Sequence, residues 1–328
     1  TGRKEIDPRE KAISTQFLQR FESLAPIESL TERFSIIHSD DEQAFGEKLQ
    51  EGFYIEAQPK VQIRKDYWDV FTQVTKEYFT EAQWAIFERK RKAYELYYQA
   101  KFDTIETQEQ IDLLTKAIEI CDDDAFLYNY RGMKLYTLKN FEAARNDIEK
   151  AIELEPQKSV LYFNLGYYWE RLDQVSLAIG SYYKALELNP NYYEAWVNLG
   201  AIYYEKEEYL NSFDAYIEAI KRDSNRHEAW YNSVLTLIKL SVENSDSTNF
   251  ETLNMALQNA KKSQELGGGV FNLASVYILL GDKAEALHWL QQALERKEQT
   301  VEHVQQDRDF ASLREDEDFK ALLAKFSS

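Results

Sequence analysis

AFLYNYRGMKLYTLKNFEAARNDIEKAIELEPQK at 125–158, SVLYFNLGYYWERLDQVSLAIGSYYKALELNPNY at 159–192 and YEAWVNLGAIYYEKEEYLNSFDAYIEAIKRDSNR at 193–226 are one pattern written three times. Gly132, Gly166 and Gly200 stand 34 residues apart, as do Ala151, Ala185 and Ala219, and also Pro156 and Pro190. A fixed period of this length, with two amphipathic halves in each unit, is the mark of a stacked helical array. Within each unit, small residues at positions 8, 20 and 27 let helices approach, and large ones at 4, 7, 11 and 24 fill the remaining space. The proline after the second half cannot continue a helix, so the chain turns into the next unit.

The units resemble tetratricopeptide repeats. Position 4 holds Tyr128, Tyr162 and Trp196; position 11 holds Leu135, Trp169 and Tyr203; position 20 holds Ala144, Ala178 and Ser212. Arg131 departs from the usual leucine at position 7. The resemblance implies an all-α fold, a right-handed α-α superhelical solenoid of about six units with an N-terminal helical domain and a C-terminal capping helix.

Outward from the three clear copies the register continues. Tyr94, Tyr97 and Ala117 place an earlier unit at 91–124, with Tyr98 where the small residue belongs. A fifth unit starts at His227 and carries an insertion around 242–249; it runs to 266. An insertion there makes a protruding loop or longer helices. A sixth, at 267–300, follows Gly267-Gly268-Gly269, which lacks the strand and GK[ST] of a phosphate loop and reads as a helix cap. Residues 301–328, with Phe310, Leu313, Phe319, Leu322, Leu323 and Phe326 on one face, form the polar-backed cap that a solenoid needs. Their DRDFASLREDEDFKALL stretch resembles the closing segment of many bacterial tetratricopeptide chains. Residues 1–90 form a separate helical domain in this reading. Asp7-Pro8, Ser29 and Ser39 open helices, 52–62 is a loop, and Tyr67, Trp68, Phe71, Tyr78 and Phe79 line an apolar face. Asp122, Asp123 and Asp124 cap the next helix and are otherwise solvated.

A net charge of −18 disfavours nucleic acid and anionic membranes. No apolar run is long enough to span a bilayer. One cysteine, Cys121, forms no internal disulfide, which with the missing span and signal suggests a cytoplasmic protein; the start at Thr1 leaves room for a leading segment removed by processing. His38, His227, His288 and His303 share no metal-ligand spacing, and no nucleophile elbow or dinucleotide fingerprint occurs. The reading is therefore a non-enzymatic chain without metal or cofactor, with no catalytic residue to name.

Function then rests on surfaces. In the family that the units resemble, the first helix of each repeat lines a concave groove, with positions 2, 5, 6, 9, 12 and 13 turned inward. Position 6 carries Tyr130, Asn164, Asn198, Asn232 and Asn272. A row of asparagine amides both donates to and accepts from the backbone of an extended segment. Tyr167 and Tyr204 offer aromatic anchors, and Arg171 is a rare basic residue of the row. Position 5 carries no lysine or arginine, so the resemblance does not extend to the members that clamp an acidic C-terminus. The expected role is a scaffold or adaptor binding a protein or peptide that is basic or apolar/aromatic rather than acidic. The alternative is a sensor or docking region of a larger multidomain protein, enzyme-associated or defensive. The sequence does not specify an oligomeric state.

Overall fold

A computed structural model describes residues 81–243 and 248–326. The helices expected at Asp7, Ser29 and Ser39, the 52–62 loop and the Tyr67–Phe79 face lie outside them. The described residues form α-helices, one 3-10 turn and no strand. They fall into two compact units that divide after Asn140.

In the first unit α1 (Glu81–Phe102), α2 (Thr107–Ile120) and α3 (Ala125–Thr137) pack consecutively. Phe87, Tyr94, Tyr97, Leu114, Ala117 and Leu127 make its core. The rings of Tyr97 and Phe126 meet edge to face at 5.0 Å, as do those of Tyr97 and Tyr130. The turn before α3 differs from the solvated cap expected there. Asp124 does cap α3, accepting from the Phe126 amide at 3.1 Å, but it is 1% exposed. Its carboxylate also lies 3.4 Å from Lys90 Nζ and accepts from Tyr94 Oη at 3.2 Å. A buried carboxylate needs such partners.

The second unit runs through α4 (Phe141–Leu154), α5 (Ser159–Arg171), α6 (Val175–Leu188), α7 (Tyr193–Glu205), α8 (Tyr209–Arg222), α9 (His227–Glu243), α10 (Thr248–Glu265), α11 (Phe271–Leu279) and α12 (Lys283–Glu295). It closes with α13 (Val301–Gln306), a 3-10 turn (Ala311–Leu313) and α14 (Glu317–Ala324). Each helix packs on the next from α4 to α12, and α7 also touches α9, and α9 touches α11. The unit is thus a helical solenoid of stacked pairs. The insertion in the fifth pair lengthens its helices to 17 and 18 residues.

Glycine at position 8 has a direct cause. A β-carbon on Gly166 would meet Tyr182 Cε1 at 2.8 Å, and one on Gly200 would meet Tyr216 Cε1 at 2.6 Å. The tyrosine at position 24 fills the space that the glycine leaves. Helix ends repeat as well. Asp173 and Glu207 take positive φ of 56° and 60°, and Gly281 takes 84°. After each, a backbone N–H bonds a carbonyl five residues back, as from Gln174 to Trp169 at 2.9 Å and from Glu208 to Tyr203 at 2.9 Å. A left-handed residue with this bond stops a helix and turns the chain.

The closing segment completes the apolar core. Phe310 is fully buried, its ring 5.7 Å from that of Phe271 and 6.1 Å from that of Phe319. Glu298 accepts from the amides of Val270 and Phe271 at 2.7 and 3.0 Å, supplying the anionic cap at the start of α11.

Candidate partner-binding groove

The first helices of successive pairs, α5, α7, α9 and α11, carry Asn164, Asn198, Asn232 and Asn272 at the same repeat position. The structure gives these four amides different surroundings. Asn164 is half-buried. Asn198 is half-buried and its Nδ2 donates to Tyr182 Oη at 3.0 Å. Tyr182 in turn donates to the Glu170 carboxylate. The Asn198 carbonyl is thereby held in one orientation. Asn232 is half-buried, and its amide has no protein partner among the described residues. Asn272 is 2% exposed, and its Nδ2 donates to the Tyr231 carbonyl at 3.2 Å, tying α11 to α9.

Tyr167 and Arg171 lie one turn apart on α5. The guanidinium sits 5.4 Å from the Tyr167 ring centre, within cation–π range, and is exposed to solvent. Tyr204 on α7 is half-buried with its ring edge-on to Tyr209 at 5.6 Å. Burial, with smaller contributions from Tyr209 and Asp309, pushes its phenol pKa up. Tyr130 belongs to the first unit, where its ring also stacks on Phe126 at 6.0 Å and lies 5.3 Å from Lys134 Nζ.

The structure adds residues that periodicity alone did not single out. Glu170 and Glu205 lie in the last turns of α5 and α7. Burial raises the Glu170 pKa, and the nearby Glu205 charge adds to the rise, against the Tyr182 hydrogen bond and Arg171. Both glutamates sit at positions 12 and 13, so the inward-facing rule contained the signal. Asp309, between α13 and the 3-10 turn, lies outside any repeat and carried none. Burial, then the charge of Asp307, lifts its pKa to about 6, while Lys239 and a hydrogen bond from Ser275 oppose the rise. Lys239, Ser275 and Tyr204 come from α9, α11 and α7, so Asp309 reaches back to three first helices.

Among the described residues no group of three His, Cys, Asp or Glu is placed to hold a metal ion. No helix among them is long and apolar enough to cross a membrane.

Tetratricopeptide-repeat family models match residues 125–158, 181–211 and 272–307. The chain is a tetratricopeptide repeat protein. No curated protein matches it. Its fold is similar to that of PilF from Pseudomonas aeruginosa, with 15% identity, a TM-score of 0.54, and coverage of 66% of this chain and 95% of that one. It is also similar to PilW, described as a widely conserved type IV pilus biogenesis factor. The identity is 15% and the TM-score 0.50, over 69% of this chain and 96% of that one. At such identities the likeness is one of fold. Repeats of this family are protein-interaction modules, and the chain is a protein-interaction scaffold in that general sense.

Proposed function

We propose that the chain holds an extended segment of a partner protein along the first helices of its second unit, without catalysing a reaction on it. The observation that carries this reading is Asn232. Its amide is presented on a rigid helix, open to solvent, with donor and acceptor both unused by the described residues. Such a group can bond a peptide backbone without reading its side chains. Asn198 supports it, since its Nδ2 is held by Tyr182 while its carbonyl accepts no hydrogen bond from the described residues. Asn164 stands at the same position one pair earlier. Tyr167, Arg171 and Tyr204 flank the amides and supply apolar and cation–π contact. Asn272 serves this surface by fixing α11 against α9. The partner segment is basic or apolar/aromatic rather than acidic.

The test is capture of a partner by the full chain and by the Asn164→Ala/Asn198→Ala/Asn232→Ala variant, read by mass spectrometry. Circular dichroism and melting curves for both establish that the variant folds. The reading expects a protein retained by the parent and lost by the variant. Equal retention by both would place binding away from these helices.

A further inference from the structure

Leu199 and Ile202 are buried at positions 7 and 10 of the fourth pair. The fifth pair has Ser233 and Thr236 there, both fully buried. Its second helix carries Asn259, buried, where α8 has Ala215. On α8 the buried Ser212 stands where α4 and α6 have Ala144 and Ala178. Apolar side chains thus give way to hydroxyls and an amide all around α9.

These groups bond across helices. Asn259 Nδ2 on α10 donates to Ser233 Oγ at 3.0 Å, and Ser233 donates to the Trp230 carbonyl at 2.7 Å. Ser212 Oγ lies 3.1 Å from Thr236 Oγ1 on α9 and 2.8 Å from the Gly200 carbonyl on α7. Thr236 Oγ1 also lies 3.2 Å from the Asn232 carbonyl. Each hydroxyl has one proton, so the two of them make two of these three bonds at a time. The shorter two form when Thr236 donates to Ser212 and Ser212 to Gly200, which ties α9 through α8 to α7. From the other side Asn272 on α11 holds the Tyr231 carbonyl. The turn of α9 that carries Asn232 is therefore held by hydrogen bonds from the helices on both sides of it.

Apolar packing is non-directional, and a helix held by it alone can change its rotation at little cost. Hydrogen bonds weaken steeply as their angles change, and a satisfied buried network specifies one arrangement. We infer that Ser212, Ser233, Thr236 and Asn259 are positioning residues that set the rotation of α9 and so aim the Asn232 amide at the backbone of the bound segment. This rests on the groove reading above and deepens it.

The test selects peptides from a phage-displayed random library on the full chain and measures the synthesised peptides against four proteins. These are the parent, Asn232→Ala, Ser212→Ala/Thr236→Val, and the three substitutions together. Valine keeps the shape of Thr236, and alanine at 212 restores the residue of α4 and α6. Melting curves establish that each folds. Asn259→Ala, which gives α10 the residue of α8, is a second variant expected to behave alike. Ser212→Ala/Thr236→Val should bind about threefold to tenfold more weakly than the parent, and adding Asn232→Ala to it should cost little further. A role in stability alone would leave the Asn232→Ala effect the same in both backgrounds. That result, or undiminished binding by Ser212→Ala/Thr236→Val and by Asn259→Ala, would overturn this inference and leave the groove reading standing. Peptides indifferent to Asn232→Ala, or a library that yields no binder, would overturn both.

Discussion

The Tyr182 ring lies where a side chain on Gly166 would go, with Cε1 2.8 Å from the position of a β-carbon. The same relationship joins Gly200 to Tyr216 in the next pair, at 2.6 Å. The two helices of each pair can approach only because one presents no side chain at the crossing.

Glycine to alanine inside a helix ordinarily stabilises by about 1 kcal/mol. At Gly166 and Gly200 the sign should reverse, with a loss of roughly 1–3 kcal/mol from overpacking against the tyrosine ring. Urea unfolding of Gly200→Ala, alone and combined with Tyr216→Leu, measures it. The double variant should recover part of the loss by making room for the methyl. A stabilised Gly200→Ala would mean that the crossing is looser than described.

Glu207 adopts φ of 60°, where Gly281 stands at the matching turn of the sixth pair. A non-glycine residue there carries strain of about 1–2 kcal/mol, offset in part by the greater freedom of glycine in the unfolded chain. Glu207→Gly should therefore stabilise by up to about 1 kcal/mol, and Gly281→Ala should destabilise by a similar amount. Thermal melting of both variants decides the matter; shifts of the same sign in the two would contradict it.

Lys90 and Asp124 are 5% and 1% exposed and 3.4 Å apart. Removing the carboxylate strips the cap from α3 and leaves an ammonium buried without its partner. Asp124→Ala should lose about 3 kcal/mol or more, and Lys90→Met/Asp124→Asn should lose clearly less. Equal unfolding midpoints for the two variants would show that the pair is not coupled.

Asp309 has its pKa raised from 3.8 to about 6, chiefly by burial. The folded state therefore binds this proton more tightly than the unfolded one. The group costs stability when ionised, above about 6, and that cost disappears as the pH falls toward 3.8. Asp309→Asn should be more stable than the parent at neutral pH and equal to it at pH of about 4. Melting curves across this window test the sign. A variant less stable than the parent at neutral pH would show that the Ser275 and Lys239 interactions outweigh burial.

Cys121 is fully buried, and its thiol pKa is pushed up to about 12 by burial and by its hydrogen bond to Asp123 at 3.1 Å. It should resist thiol reagents in the native state and react once the first unit unfolds. Fast labelling of the folded protein would contradict this.

The sequence by itself determined the all-α class and the repeat. Glycine, alanine and proline recur every 34 residues because each pair must meet the same crossing and the same turn, and that demand acts on local residues. It also placed asparagines at one position of successive first helices. What it could not state is how those amides differ. Asn272 and Asn232 occupy the same place in the pattern, yet one is buried against the Tyr231 carbonyl and the other has no protein partner among the described residues. The difference comes from the closing helices and the Glu298 cap, which pack beside α11 and bury its start. The Asn198–Tyr182–Glu170 chain joins residues 16 and 12 apart on three helices, and Asp309 reaches Tyr204 across more than a hundred residues of sequence. Periodicity reports what each helix buries against its nearest neighbours. Which polar groups remain unpaired depends on elements brought together only when the solenoid closes, and that was decided by the tertiary structure.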